Sequence, residues 1–139
     1  MSKNQAQPLK VIMDSNALFA PLELKIDIFE ETRHLVKRNV DFILLSPVKA
    51  ELELLANKES SKLRRQANFA LRLAEKCKFV PVAVSEKFTT DDAIVKVAKN
   101  WNCPVFTNDR LLKKRLRDIS LPVIYVRQKS RLEIDGLIS

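Results

Sequence analysis

The stretch KVIMD (10–14) decides the fold: Val11, Ile12 and Met13 follow Lys10 and run straight into Asp14. A run so short, so apolar and so rich in β-branched residues predicts a strand buried on both faces, not an amphipathic helix. Outward from it the pattern repeats. DFILLS (41–46) is a second strand, closed by Pro47, and KFVPVAV (78–84) is a third, which Pro81 places toward a sheet edge. Pro104 opens a fourth, VFTND (105–109), and Pro122 a fifth, VIYVR (123–127). Helical spacing fills the gaps. Residues 26–38 put Ile28, Leu35 and Val36 on one side and Glu30, Glu31, Arg33 and Lys37 on the other. Helices are also expected over 48–57, over about 60–77 after the polar break KESS, from Thr89 or Thr90 to about Asn102, and over the basic stretch 109–119. Residues 15–25, interrupted by Pro21, carry no predicted element, and QKSRLEIDGLIS (128–139) reads at most as a short edge strand.

Strands alternating with helices along the whole chain define an α/β class protein. Its expected form is a three-layer α/β/α sandwich around a central parallel sheet of about five strands. The 139 residues fit one domain, 1–139, with no repeat, linker or internal boundary. With 46% hydrophobic and 30% charged residues, the composition is that of a globular chain. Gly136 is the only glycine, which excludes glycine-rich phosphate loops and with them the usual nucleotide-binding motifs. A net charge of +8 points to an anionic partner, nucleic acid first. Cys77 and Cys103 form no CxxC and read as buried thiols of a reducing compartment. No stretch is apolar enough to span a bilayer and the polar start is no signal peptide, so no membrane partner and a cytoplasmic location are expected.

In an open parallel sheet, ligands gather at the carboxyl ends of the strands. Strand one ends in Asp14-Ser15-Asn16 and strand four in Thr107-Asn108-Asp109. Each aspartate has a competing role as the cap of the segment that follows. On helix 48–57, Glu51 lies beside the buried stripe of Val48, Leu52 and Leu55, whereas Glu53 points away. Asp91 shares a face with Val95 and Ala98, while Asp92 sits nearer Lys96 and Lys99 and is the reserve candidate. Carboxylates beside apolar stripes are costly to bury unless something positive compensates them. Four such acids without inward cations point to a divalent metal, and oxygen-only ligands favour Mg2+ or Mn2+. His34 lies among charges and reads as a surface residue, so zinc has no signature. Water activated by metal is then the natural nucleophile.

The ordered set IMDSN, SPVKAEL, DDAI and FTNDR, over roughly residues 10 to 126, resembles the PIN-domain nucleases. The resemblance implies a PIN-like nuclease domain in which Asp14, Glu51, Asp91 and Asp109 are catalytic and hold one or two Mg2+ or Mn2+ ions. Ser15 or Asn16 would orient the first aspartate, with Thr107 and Asn108 as supports. The implied activity is endonucleolytic cleavage of RNA leaving a 5′ phosphate and a 3′ hydroxyl. TTDDAIVKVA, TNDRLLKKRLRD and VIYVRQKSRLEIDG are similar to the archaeal and eukaryotic Fcf group, which implies precursor rRNA as substrate.

Arg110, Lys113, Lys114, Arg115 and Arg117 form the densest basic cluster, followed by Arg127, Lys129 and Arg131. Arg110, Lys113, Lys114, Arg117 and Arg127 are the RNA-contact candidates, against the ordinary fate of a solvated helix face. A second cluster, Lys62, Arg64, Arg65 and Arg72, extends an RNA track or lies idle. Few aromatics are expected at the surface, and Trp101 falls on an apolar helix side. Two alternatives stand beside RNA processing: a VapC-like toxin ribonuclease with an antitoxin-like protein partner, and a catalytically weak RNA-binding scaffold in ribosome assembly. A homodimer is a further expectation. A receiver domain or aspartyl phosphatase ranks low, because Asp14 is followed by Ser-Asn in place of a DxD.

Overall fold

The computed structural model describes residues 7–58 and 60–138; of the polar arm expected at the start, 1–6 lie outside the described residues, as does Glu59 of the KESS break. The elements follow as β1 (Leu9–Met13), α1 (Ser15–Leu24), α2 (Ile28–Val36), β2 (Val40–Leu45), α3 (Ser46–Ala56), α4 (Ser61–Ala74), β3 (Lys78–Val80), α5 (Thr90–Trp101), β4 (Val105–Phe106), α6 (Arg110–Asp118), β5 (Val123–Arg127) and β6 (Arg131–Asp135). They form a mostly parallel six-stranded sheet in the order β3-β2-β1-β4-β5-β6. The five strands expected from the sequence are all present and mutually parallel. The tail supplies a sixth, β6, antiparallel to β5.

β1 shows why the opening stretch was decisive. Val11, Ile12 and Met13 are wholly buried, as a central strand covered on both faces requires. Ile12 pairs with Ile43 of β2 on one side and Val105 of β4 on the other. The chain leaves β1 leftward through β2 to β3, then returns to the other side through β4 and β5. Right-handed crossovers therefore place α1–α4 on one face and α5–α6 on the other. The sheet reverses its strand order between β1 and β4, and the crevice at their carboxyl ends is the topological switch point.

Three elements differ from expectation. β3 spans only three residues, and Pro81 follows it directly, removing the amide that a longer ladder would need. β4 is two residues long because Thr107 and Asp109 turn their groups into side-chain hydrogen bonds. α1 has no counterpart in the sequence reading. It buries Ala17, Leu18 and Ala20 despite Pro21, which withholds one amide from the helical ladder, and Lys25 ends the helix in a left-handed conformation.

Cys103 is buried and Cys77 half-buried, and both are free thiols. Burial pushes each up to about 12, so both stay protonated and inert at neutral pH. His34 is an exposed residue 3.0 Å from Glu30, as expected of a surface side chain. No helix among the described residues is long and apolar enough to cross a membrane.

Candidate active site

The sequence leads each of the four acids to the same rim by a different route. Asp14 directly follows β1, and Asp109 stands two residues beyond Thr107 at the end of β4. Glu51 comes from α3, which starts where β2 ends, and Asp91 from the first turn of α5 on the opposite face. α3 and α5 touch across the rim. Asp14, Asp91 and Asp109 therefore lie at helix N-termini, where the exposed amides favour negative charge, whereas Glu51 projects from the middle of α3.

Asp14 is the centre of the arrangement and is 5% exposed. Its Oδ1 accepts from the Ser15 amide at 2.8 Å, and its Oδ2 accepts from Thr107 Oγ1 at 2.7 Å and Asn16 Nδ2 at 3.2 Å. Thr107 Oγ1 in turn accepts from the Asp109 amide at 3.0 Å. Asn16 Oδ1 accepts from the Asn108 amide at 3.0 Å, and Asn108 Oδ1 accepts from the Val126 amide at 2.8 Å. One network thus stitches the ends of β1, β4 and β5 together. Among the described residues no buried side-chain polar atom lacks a partner.

Asp109 does cap a helix: its Oδ1 accepts from the amides of Leu111 and Leu112 at 2.9 and 3.0 Å. Capping and facing the site are compatible, because the cap uses one carboxylate oxygen. Asp92, the reserve, is committed elsewhere. It closes a capping box with Thr89 and takes Arg115 Nη2 at 2.9 Å. That salt bridge and the Thr89 bonds hold its carboxyl below the usual range.

The other acids behave oppositely. Burial pushes Asp14 up, against the pull of its Thr107 and Ser15 hydrogen bonds, with Asp91 and Asp109 adding repulsion. Loss of solvent also raises Glu51, with repulsion from Asp14 and Asp91 and partial relief from Thr90 and Ser15. Glu51 is exposed as a whole residue, so the shift belongs to its carboxyl end, which shares a concavity with Thr90 and Asp91. Asp91 is raised by desolvation first, then by Asp109, and lowered by Arg115. Four carboxylates therefore oppose one another's charge across the rim. Among the described residues no group of three or more of these acids stands close enough together to hold a metal ion as placed.

Ser15 holds Asp14 through its amide, and its side chain also favours the charged form of Glu51. Thr90 also supports Glu51, and Arg115 eases Asp91; the sequence marked Thr90 only as a capping candidate and Arg115 only as one of a basic cluster. Most of the expected RNA-contact cations are paired internally. Lys113 and Arg117 reach Asp135 of β6 at 3.6 and 3.3 Å, Lys114 reaches Asp118 at 2.9 Å, and Arg127 reaches Glu133 at 3.0 Å. Arg110 alone of the five has no ion pair among the described residues.

A family model described as a PIN like domain matches residues 11–129. Ribonuclease VapC4 of Methanocaldococcus jannaschii is 33% identical over 130 residues, covering 93% of this chain and 98% of that protein. The rRNA-processing protein fcf1 of Schizosaccharomyces pombe is 34% identical, covering 91% of this chain and 64% of the yeast protein. The solved structure of the PIN domain endonuclease Utp24 superposes with a TM-score of 0.77 at 30% identity, covering 94% of each chain.

Proposed function

Because this chain belongs to the PIN-like domain family, a family of nucleases, we propose that it is a metal-dependent endoribonuclease whose catalytic residues are Asp14, Glu51, Asp91 and Asp109. The observation that carries the reading is the gathering of these acids at the switch point, where burial and then mutual repulsion raise Asp14, Glu51 and Asp91 and a bound cation would offset both. The donor set is oxygen alone, which fits Mg2+ or Mn2+. Bound there, such an ion supplies an acidified water and charge compensation for the scissile phosphodiester.

The chain's own residues do the rest. Thr107 and Asn16 hold Asp14 Oδ2 and the Ser15 amide holds Oδ1, so both oxygens are oriented relative to the backbone. Thr90 and Ser15 favour the charged form of Glu51 against its desolvation. Arg110, next to Asp109 and free of acidic partners among the described residues, is placed to hold a phosphate of the substrate strand. Lys113 and Arg117 serve instead to tie β6 to α6.

Maturation of precursor rRNA is the finer proposal, supported by the likeness to fcf1 and to the Utp24 endonuclease. The VapC-named archaeal relative supports a toxin ribonuclease with an antitoxin-like partner as the second reading. Incubation with structured and single-stranded RNA in Mn2+, Mg2+ or EDTA tests the central claim. Cleavage should require metal, and Asp14→Asn and Asp91→Asn should each lower it by about a hundredfold or more while both variants stay folded. Parent-level cutting by both variants would show that the site lies elsewhere. Preference for small-subunit precursor RNA over generic RNA separates the two biological readings.

A further inference from the structure

The cations of α6 and those of α4 have opposite fates. On α6, Lys113, Lys114, Arg115 and Arg117 are each paired with an acid. The sequence of α4, SKLRRQANFALRLA, contains no acid at all, and Lys62, Arg65 and Arg72 have no ion pair among the described residues. These three line one concavity of about 550 Å³ against Leu22 of α1, together with the amide side chains of Gln66 and Asn68 and the ring of Phe69. Arg72 Cζ lies 5.8 Å from the centroid of that ring. Phe69 is also shared with a second hollow beside it, which holds Lys25 and Lys76. Unneutralised charge gathered in a groove around an aromatic face is the combination that binds single-stranded nucleic acid: cations follow the phosphates and the ring stacks a base.

The groove is also in the right place. α1 begins at Asp14 and reaches Leu22 about 12 Å further along its axis, at about 1.5 Å per residue. A strand leaving the acidic site along α1 arrives at Phe69 after a few nucleotides.

We infer that the α1–α4 groove, through Lys62, Arg65, Arg72 and Phe69, is a second RNA-holding site that grips single-stranded RNA flanking the bond to be cut. An acidic protein segment would match the charge, but the groove offers only Leu22 and Phe69 as apolar anchors, whereas its amides and arginine-stacked ring match a base. The inference rests on the RNA-cleaving reading of the acidic site, and its test does not depend on cleavage.

Fluorescence anisotropy in EDTA with labelled, unstructured oligouridylates of about four and about twelve nucleotides provides that test. The parent should bind the longer oligomer more tightly. The pair Lys62→Gln with Arg65→Gln should lose most of that gain and show a salt slope shallower by roughly 1.4, the value for two single-strand phosphate contacts. Phe69→Leu, which keeps an apolar side chain in place, should weaken the longer oligomer about tenfold without changing the slope. Lys99→Gln, on an exposed face of α5, should match the parent. Affinity within about twofold of the parent in both groove variants overturns the inference, as does an equal loss in Lys99→Gln. So does a parent that binds hexaglutamate through these residues while its groove variants keep full RNA affinity, which would give the groove to an acidic protein. A parent that grips the longer RNA here yet never cuts any RNA would sink the nuclease reading and leave the groove standing.

Discussion

Asp91 shows at the scale of one residue how the site conflicts with the stability of the metal-free fold. Among the described residues no hydrogen bond holds its carboxylate, and desolvation and Asp109 both raise its affinity for a proton. A carboxyl whose folded value is raised stabilises the fold below its unfolded pKa, about 4, and that contribution is lost as pH rises through the folded value. At neutral pH without metal, Asp91, Asp14 and Glu51 therefore each weaken the fold. Asp91→Asn should raise the Tm in EDTA at pH 7 by a few degrees, and its advantage over the parent should shrink toward pH 4. An unchanged or lowered Tm across that range would contradict the electrostatic account. Thr107 is the opposite kind of residue, wholly buried and satisfied on every side. Thr107→Val keeps the shape but leaves the Asp109 amide and Asp14 Oδ2 without that partner, which should cost about 1–3 kcal/mol in urea unfolding, while Thr107→Ser should cost less. Asp14 and Asp109 were legible because strand ends show in a sequence; the influence of Thr90 and Ser15 on Glu51 was not, because it links residues far apart in the chain.

Among the elements, helix phase located Glu51 and Asp91 correctly beside buried stripes, since the angle between neighbours on a helix does not depend on where the helix ends. Helix α1 escaped because Pro21 and its short apolar run resemble a break, and only packing against α3 and α4 makes the helix worthwhile. The pairing of β6 was equally hidden. Its anchor is Asp135, held by Lys113 and Arg117, and the turn after it needs the single glycine. Gly136 has a φ of 102°, and a Cβ there would collide with the Arg117 guanidinium and lie 3.1 Å from Pro122 Cα. Gly136→Ala should destabilise the fold by about 1–3 kcal/mol, read as a lowered urea midpoint. A midpoint equal to the parent's would show that β6 is not anchored through this turn.

For the molecule as a whole, acids carried by both helical layers and by the central strands meet only when the sandwich is folded, so a cation that binds them must stabilise the folded state. Mn2+ or Mg2+ should stabilise the fold at pH 7 by about 2.7 kcal/mol at a hundred times Kd, seen as a concentration-dependent rise in Tm that is largely absent in Asp14→Asn. A parent Tm indifferent to either ion would remove the metal site. The sequence by itself determined the parallel sheet, its five principal strands and which acids stand at strand ends or beside buried helical stripes, because apolar periodicity and strand-end position are local properties of the chain. Only the tertiary structure decided which charges are free. Asp92 and most of the α6 cations looked available in the sequence and are paired, whereas Lys62, Arg65 and Arg72 of α4 line a groove with no ion pair among the described residues. The physical reason is that a charge acquires its partner, or is denied one, from residues distant in the chain, and only folding brings those residues within a few ångströms.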